Sequence, residues 1–282
     1  MSNLKVSLIM CTIGRTDDVH KFIESLNNQT YNNFELIIVD QNEDNRVSDI
    51  LNLFSEIKEK TIHIKSEKGL SKARNVGLKY ITGDIYAFPD DDCLYGNDIL
   101  LNVNNFFEHN SNYHVYSTNT CDPDNNNFSL IPTPTGNIEF DRNKLQGCSF
   151  TLFLKREENL IYFDERMGVG SGFIWGSAEE NDYLYRYLDN MKLGYFDKDV
   201  FIYHPAKENE SVDWSRAYYY GGGFAAFRSK HFSKVRILKS TIYLILQIID
   251  ALITLKFKKA FFKIGYLLGF LVGLISWKIA IR

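Results

Sequence analysis

An α/β architecture is what this sequence predicts: a mostly parallel sheet with helices on both faces, followed by C-terminal helices of a different character. Three observations predict it. Apolar runs of strand length recur about every 25 residues through the first hundred positions, with helical patterns between them, as in successive βαβ units. Each run is nearly continuous rather than alternating, as expected when both faces of a sheet are covered. Charge is also divided along the chain. From Arg228 to Arg282 eleven basic residues face one acid, Asp250, while the rest holds 21 basic and 34 acidic residues, although the whole chain of 282 carries only −3. Such a split suggests an acidic body and a basic tail with a different partner.

The elements follow in order. VSLIM (6–10), FELIIVD (34–40), TIHIKS (61–66) and DIYAFPD (84–90) read as strands. DDVHKFIESLNNQ (17–29), VSDILNLFSEI (47–57) and LSKARNVGLKYI (70–81) read as helices, the last stopped by Thr82-Gly83. In sheets of this kind ligands bind beyond the C-terminal strand ends, which here carry Cys11-Thr12, Asp40-Gln41 and Asp90-Asp91-Asp92. The Asn-, Pro- and Thr-rich stretch over 117–150 reads as a loop region close to a substrate. CSFTLFLKRE (148–157) is a strand, MGVGSGFIWGS (167–177) a glycine-rich turn, EENDYLYRYLDNM (179–191) a helix and DVFIYH (199–204) a last strand.

A composition of 45% hydrophobic and 24% charged residues excludes a wholly disordered chain or a collagen-like repeat. Cys11, Cys93, Cys121 and Cys148 are far apart and form no CxxC pair, so four reduced thiols are expected rather than a zinc site or disulfide framework. The apolar run at 4–10 is short and soon meets Gly14-Arg15, which fits a buried strand better than a signal peptide. Near the C-terminus, TIYLILQIIDALITL (241–255) and IGYLLGFLVGLISW (264–277) lie among Lys256, Lys258, Lys259, Lys263 and Lys278. Each apolar stretch falls short of the roughly 20 residues that a membrane span needs. Interfacial helices on an anionic leaflet are therefore favoured over one marginal span at 264–280 or a buried helical hairpin. The boundary is placed between residues 1–212 and the basic, hydrophobic region 213–282. Tyr-rich AYYYGGGF, with Gly221–Gly223, reads as a flexible hinge.

Three segments can carry chemistry. In AFPDDDCLY (87–95) three adjacent carboxylates follow an apolar strand, where their repulsion is relieved by a bound cation. In an extended segment Asp90 and Asp92 share one side and Asp91 faces the other; a solvated acidic turn would carry the same letters. In EKGLSKARNVGLKY (67–80) Ser71 can cap a helix, and Arg74 with Asn75 near its start makes a diphosphate cradle plausible. In WGSAEENDY (175–183) Ser177 and Glu180 have capping-box spacing, but Glu179, Glu180 and Asp182 beside Phe173 and Trp175 also offer a general base. His204, at a strand end, is a candidate metal ligand.

In sequence order, VSLIMCTIGR, FELIIVDQ, GLSKARNVGL, FPDDDCLY, GSAEENDYLYRY and VFIYH resemble the family 2 glycosyltransferases of the GT-A fold, the Rossmann-like nucleotide-diphospho-sugar transferases of bacterial polysaccharide and O-antigen synthesis. The resemblance spans about residues 4–205. It implies that Asp90 and Asp92, as a DxD motif, bind Mn(2+) or Mg(2+) and the donor diphosphate, that Asp91 faces the ribose, and that Thr12 lines the nucleoside pocket with Asp40 and Gln41. Arg74 and Asn75 would stand near the nucleotide, and Glu180 would be the base, with Glu179 as second choice. Two departures stand out. Many relatives carry Asp-Asp where this chain has Asp40-Gln41, which leaves the base open, and Glu-Asp where it has Glu179-Glu180. The implied activity is inverting, metal-dependent transfer from a nucleotide-diphosphate sugar to a glycan or lipid-linked saccharide at the cytoplasmic membrane surface. The C-terminal helices could pair two subunits, and no nucleic-acid partner is expected. Two competing readings remain, a nucleotidyltransferase acting on sugar phosphates and a non-catalytic membrane-bound scaffold.

Overall fold

The computed structural model describes residues 3–123, 134–189, 191–205 and 213–280. Strands β1 (Val6–Thr12), β2 (Phe34–Asp40), β3 (Thr61–Lys65) and β4 (Ile85–Ala87) pair in parallel in the order β3-β2-β1-β4. Every residue of β1 and β2 is buried, which explains why their sequences run apolar without alternation. Helix α1 (Asp17–Asn27) turns Val19, Phe22, Ile23 and Leu26 inward, one face of a 3.6-residue period. The helix expected over 47–57 is two helices, α2 (Arg46–Leu51) and α3 (Ser55–Glu59). Phe54 between them leaves the helical conformation (φ −127°, ψ 79°) and packs against the core. Helix α4 (Leu70–Leu78) follows the sequence reading, while β4 is shorter than expected and ends before Pro89, which has no N–H to donate.

Beyond β4 the sheet becomes mixed. Among the described residues, nine strands form one sheet, in which β5 (Leu94–Tyr95), β6 (Tyr113–Cys121), β7 (Ile138–Phe140), β8 (Leu152–Lys155) and β9 (Leu193–Tyr203) complete the set. β8 is antiparallel to β4 and β6, β6 is parallel to β9, and β5 and β7 are antiparallel to β9. Pairing is wholly parallel through the first four strands, and beyond them the β6–β9 pair is parallel while the pairs made by β8, β5 and β7 are antiparallel. The reading of 117–150 as loop is corrected: β6 runs through Ser117–Cys121, all buried, and β7 follows; residues 124–133 lie outside the described residues. The strand expected from 148 opens with a 3-10 turn, Ser149–Thr151, and the last strand begins six residues before Asp199, at Leu193. Helix α5 (Ile99–His109) precedes β6, and α6 (Glu179–Tyr187) precedes β9.

The chain divides into two compact units that interleave along the sequence, whereas the expected boundary at 212/213 is linear. The first, Met1–Lys68, Lys72–Tyr162 and Tyr183–Lys207, contains the sheet and its core. The second gathers Gly69–Ser71, Phe163–Asp182 and Glu208–Arg282. Its helices are α7 (Trp214–His231), α8 (Lys234–Ile253) and α9 (Phe257–Ala280). Gly221–Gly223 are no hinge: they lie buried inside α7. A methyl group on Gly221 would stand 2.0 Å from the Tyr266 carbonyl oxygen, and one on Gly269 would stand 1.9 Å from that of Tyr218, so α7 and α9 cross backbone against backbone. The apolar stretches of the tail become longer helices, 20 residues in α8 and 24 in α9, because lysine-bearing flanks continue the helical path. Among the described residues α9 is long and apolar enough to cross a membrane.

Candidate active site

The parallel strands of the first unit deliver three chain segments to one end of the sheet. β1 ends at Thr12, β2 at Asp40, and an isolated parallel bridge between Cys11 and Asp90 carries the β4 path to the acidic triplet. Thr12 Oγ1 donates to Asp91 Oδ2 at 2.7 Å. Asp90 and Asp92 approach His204, whose Nε2 is 3.1 Å from Asp92 Oδ1 and 4.0 Å from Asp90 Oδ2. His204 is held there by the end of β9, by the Cys121 carbonyl that accepts its N–H, and by the Phe150 ring stacked on it at 4.5 Å.

Two guanidinium groups enter the cluster. Arg74, 2% exposed, brings Nη2 to 3.3 Å from Asp90 Oδ1 and lies under the Phe88 ring. It is buried, not a solvent-facing helix residue, and Asn75 beside it is buried too. Arg15 reaches Asp91 at 3.1 Å, Asp92 at 2.9 Å and Asp18 at 2.6 Å. The sequence reading gave Arg15 no role; its signal is a cation three residues past the β1 end, released by Gly14 at φ +73°.

The charges are unevenly matched. Burial drives the Asp91 carboxyl up to about 6; Thr12 and Arg15 pull it down and its two acidic neighbours push it up again. Burial works against charging His204, yet its hydrogen bond to Asp92 and the charges of Asp92 and Asp90 win and raise its pKa. Asp40, fully buried, is opposed by burial but held below the usual carboxylate range by Lys65, the Asn42 N–H and His63. Gln41 is buried after it and donates its backbone N–H to the Thr12 carbonyl at 3.0 Å.

Asp92, Cys93 and His204 offer ligand atoms within 4.8 Å of one another. Burial lifts the Cys93 thiol well above its ordinary value, and a protonated thiol is a poor ligand for a hard cation. The carboxylates of Asp90 and Asp92 with the His204 imidazole form a donor set that fits a divalent ion such as Mn(2+) or Mg(2+).

In the second unit, the glycine-rich turn leads to the start of α6. Ser71 donates to the Met167 carbonyl at 2.6 Å, and Ser177 donates to the Tyr220 carbonyl at 3.1 Å. Ala178, at φ 60°, takes a left-handed conformation that costs a non-glycine residue about 1 to 3 kcal/mol. Glu179 is buried, and a methyl group on Gly168 would stand 3.1 Å from its carboxyl carbon. Glu180 is half-buried and accepts from Asn181 at 3.1 Å. Both carboxylates act on Tyr220, which lines a cleft of about 400 Å³ with Phe173, Arg216, Tyr219 and the glycines of the turn. The Phe173 ring stacks on Trp175 at 5.1 Å.

The sequence profile of glycosyl transferase family 2 matches residues 7–166. The chain is similar to the glycosyltransferase GlyA of Streptococcus pneumoniae, 23% identical over 75% of this chain and 32% of GlyA. It is also similar to the UDP-Glc:alpha-D-GlcNAc-diphosphoundecaprenol beta-1,3-glucosyltransferase WfgD of Escherichia coli, 29% identical over 43% of this chain and 50% of WfgD. It thus spans half or less of the length of these curated relatives. Among solved structures, TarS of S. aureus in complex with UDP-GlcNAc matches with a TM-score of 0.59 at 16% identity, covering 98% of this chain and 92% of that one. The mannosyltransferase PcManGT of Pyrobaculum calidifontis, in complex with GDP-Man and Mn2+, matches with a TM-score of 0.59 at 15% identity, over 98% and 73%. These two likenesses establish the fold.

Proposed function

The chain belongs to glycosyl transferase family 2, and from that premise we propose that it moves a sugar, with inversion, from a nucleotide-diphosphate donor to a hydroxyl of a glycan or lipid-linked saccharide acceptor. The observation that carries the proposal is the strand-end cluster of Asp90, Asp91, Asp92, His204, Arg15 and Arg74. Such a cluster can meet a diphosphate from both sides of the charge balance. Asp90, Asp92 and His204 would hold a divalent ion, which when bound supplies positive charge to the departing diphosphate. Arg74, fixed by burial, would donate to a phosphate oxygen. Thr12, Asp40, Gln41 and Asn75 would line the nucleoside side, and Asp91, on the Thr12 face, would accept from the ribose. Glu180, or Glu179 as second choice, would take the proton of the attacking hydroxyl.

The setting we propose is the cytoplasmic face of the cell membrane, in cell-surface polysaccharide synthesis, with residues 1–212 as the catalytic domain and 213–282 as the membrane-association region. Exposed Leu246, Ile253, Leu255, Phe257 and Ile275, together with Lys256, Lys258 and Lys259, support this reading.

Calorimetric titration of UDP, dTDP and GDP into detergent-purified protein, with and without manganese, tests it. One nucleoside diphosphate binding only with metal is the expected outcome and names the donor class. Pyrophosphate release from a sugar phosphate and nucleoside triphosphate would point to nucleotidyl transfer, and no binding by a folded sample would point to a scaffold.

A further inference from the structure

A buried charge network at the start of α6 has no part in the reaction proposed above. Asp182, fully buried in the first turn of α6, receives Lys230 Nζ at 2.8 Å and His231 Nε2 at 2.7 Å, both from the end of α7. Lys230 also reaches Asp164 at 2.9 Å, and Arg166 pairs with the same carboxylate at 2.8 Å. Trp277 of α9 closes the cluster: the Arg166 guanidinium lies 4.5 Å from its ring centre, and Trp175 packs edge-on against it at 4.6 Å. The backbone is fastened as well. Methyl groups on Gly222 and Gly223 would each stand 2.2 Å from a carbonyl oxygen, those of Ile174 and Ser177 respectively. α7 therefore lies directly along 174–177, the strap that enters the left-handed Ala178 and then Glu179 and Glu180.

We propose that Lys230 and His231 are positioning residues for the carboxylates at the start of α6, held there from the end of α7. The proposal rests on the reading of Glu180 or Glu179 as the base. A fully buried carboxylate needs close hydrogen-bonding and charged partners to stay in place, and Lys230 and His231 are such partners for Asp182. It sits three residues after Glu179, nearly one helical turn, so holding Asp182 sets both the rotation and the depth of the first turn. A left-handed alanine persists only where its surroundings hold it. Releasing Asp182 lets that conformation relax and moves the base.

The full chain in detergent is assayed for nucleoside diphosphate release from a panel of UDP-, dTDP- and GDP-sugars with manganese. Lys230→Met is expected to lower kcat about 10²-fold, the effect of roughly 1 Å of misplacement, with little change in donor KM. Lys230→Arg, which keeps the charge, is expected to recover most of kcat. If Lys230→Met does not fold, Asp182→Asn, of the same size, decides. Wild-type kcat in a folded Lys230→Met or Asp182→Asn chain overturns the proposal, as does a loss of donor affinity equal to the loss of kcat that Lys230→Arg leaves unrepaired. Inactive Glu180→Gln beside unimpaired Lys230→Met removes the positioning role and leaves the base standing. A wild-type chain silent on the whole panel overturns the transferase reading itself, and the positioning role with it.

Discussion

Two buried groups of carboxylates stand in this molecule, and their surroundings treat them in opposite ways. At the strand ends, burial and like charge outweigh Thr12 and Arg15, and Asp91 titrates near 6. Around Trp277, burial is overcome by hydrogen bonds and charge from Arg166 and Lys230, and Asp164 is held well below the usual carboxylate range. Matched acids of the second kind hold chain segments together. Asp91, raised chiefly by burial and further by its acidic neighbours, is the kind of perturbed group that gathers at functional sites. On the function proposed above, the contrast separates acids that bind from acids that brace, within one chain and among side chains of the same type.

The comparison predicts unlike responses to like substitutions. The largest effect is expected from Asp92→Ala. Turnover should fall on the order of 10³-fold, as when one group that stabilises transition-state charge is lost, with no loss in melting temperature. A clear fall in melting temperature would place Asp92 with the bracing acids. Next is Asp164→Ala, which leaves Arg166 and Lys230 short of a partner. It should lower stability by about 2 kcal/mol, typical of a hydrogen bond to a charged group, while nucleotide binding measured by calorimetry is retained. Loss of nucleotide binding would break the contrast from the other side.

The smallest effects are in pH dependence, and their signs are opposed. The folded chain keeps the Asp91 proton up to about pH 6, against an ordinary carboxyl at 3.8. Stability from this group is therefore full below about pH 4 and lost as pH rises to about 6. Asp164 works in reverse: its contribution is present above the ordinary carboxyl value and is lost as pH falls below it. Melting temperature followed against pH in EDTA should show Asp91→Asn flattening the upper limb and Asp164→Asn the lower one. Both substitutions acting on one limb would refute the assignment.

The acidic triplet, the helix that starts at Glu179 and the first four strands are legible in the sequence because their signals are local: an apolar run, a helical period, adjacent like charges. What escaped depended on distant neighbours. Ser117–Thr120 look like loop in composition, yet their polar side chains are buried within β6; polarity reports solvent only where no site draws polar groups inward. Arg15 was passed over because its three carboxylate partners include two that lie more than seventy residues away. The glycine triplet reads as a hinge in sequence because the second half of its pattern, Gly265, Gly269 and Gly273 at four-residue spacing, sits in another helix. Read together, the two rows form the small-residue signature of closely packed helices.

β9 has a further consequence, for how the protein is made. It is the parallel partner of β6 and the antiparallel partner of both β5 and β7, and it is the last strand among the described residues. Until the ribosome has released Leu193–Tyr203, β6 has β8 on one side and an open, buried-type edge on the other, and β5 and β7 have nothing to pair with. An exposed edge of this kind recruits strands from other chains. A message interrupted just upstream of β9 would therefore yield an aggregating fragment.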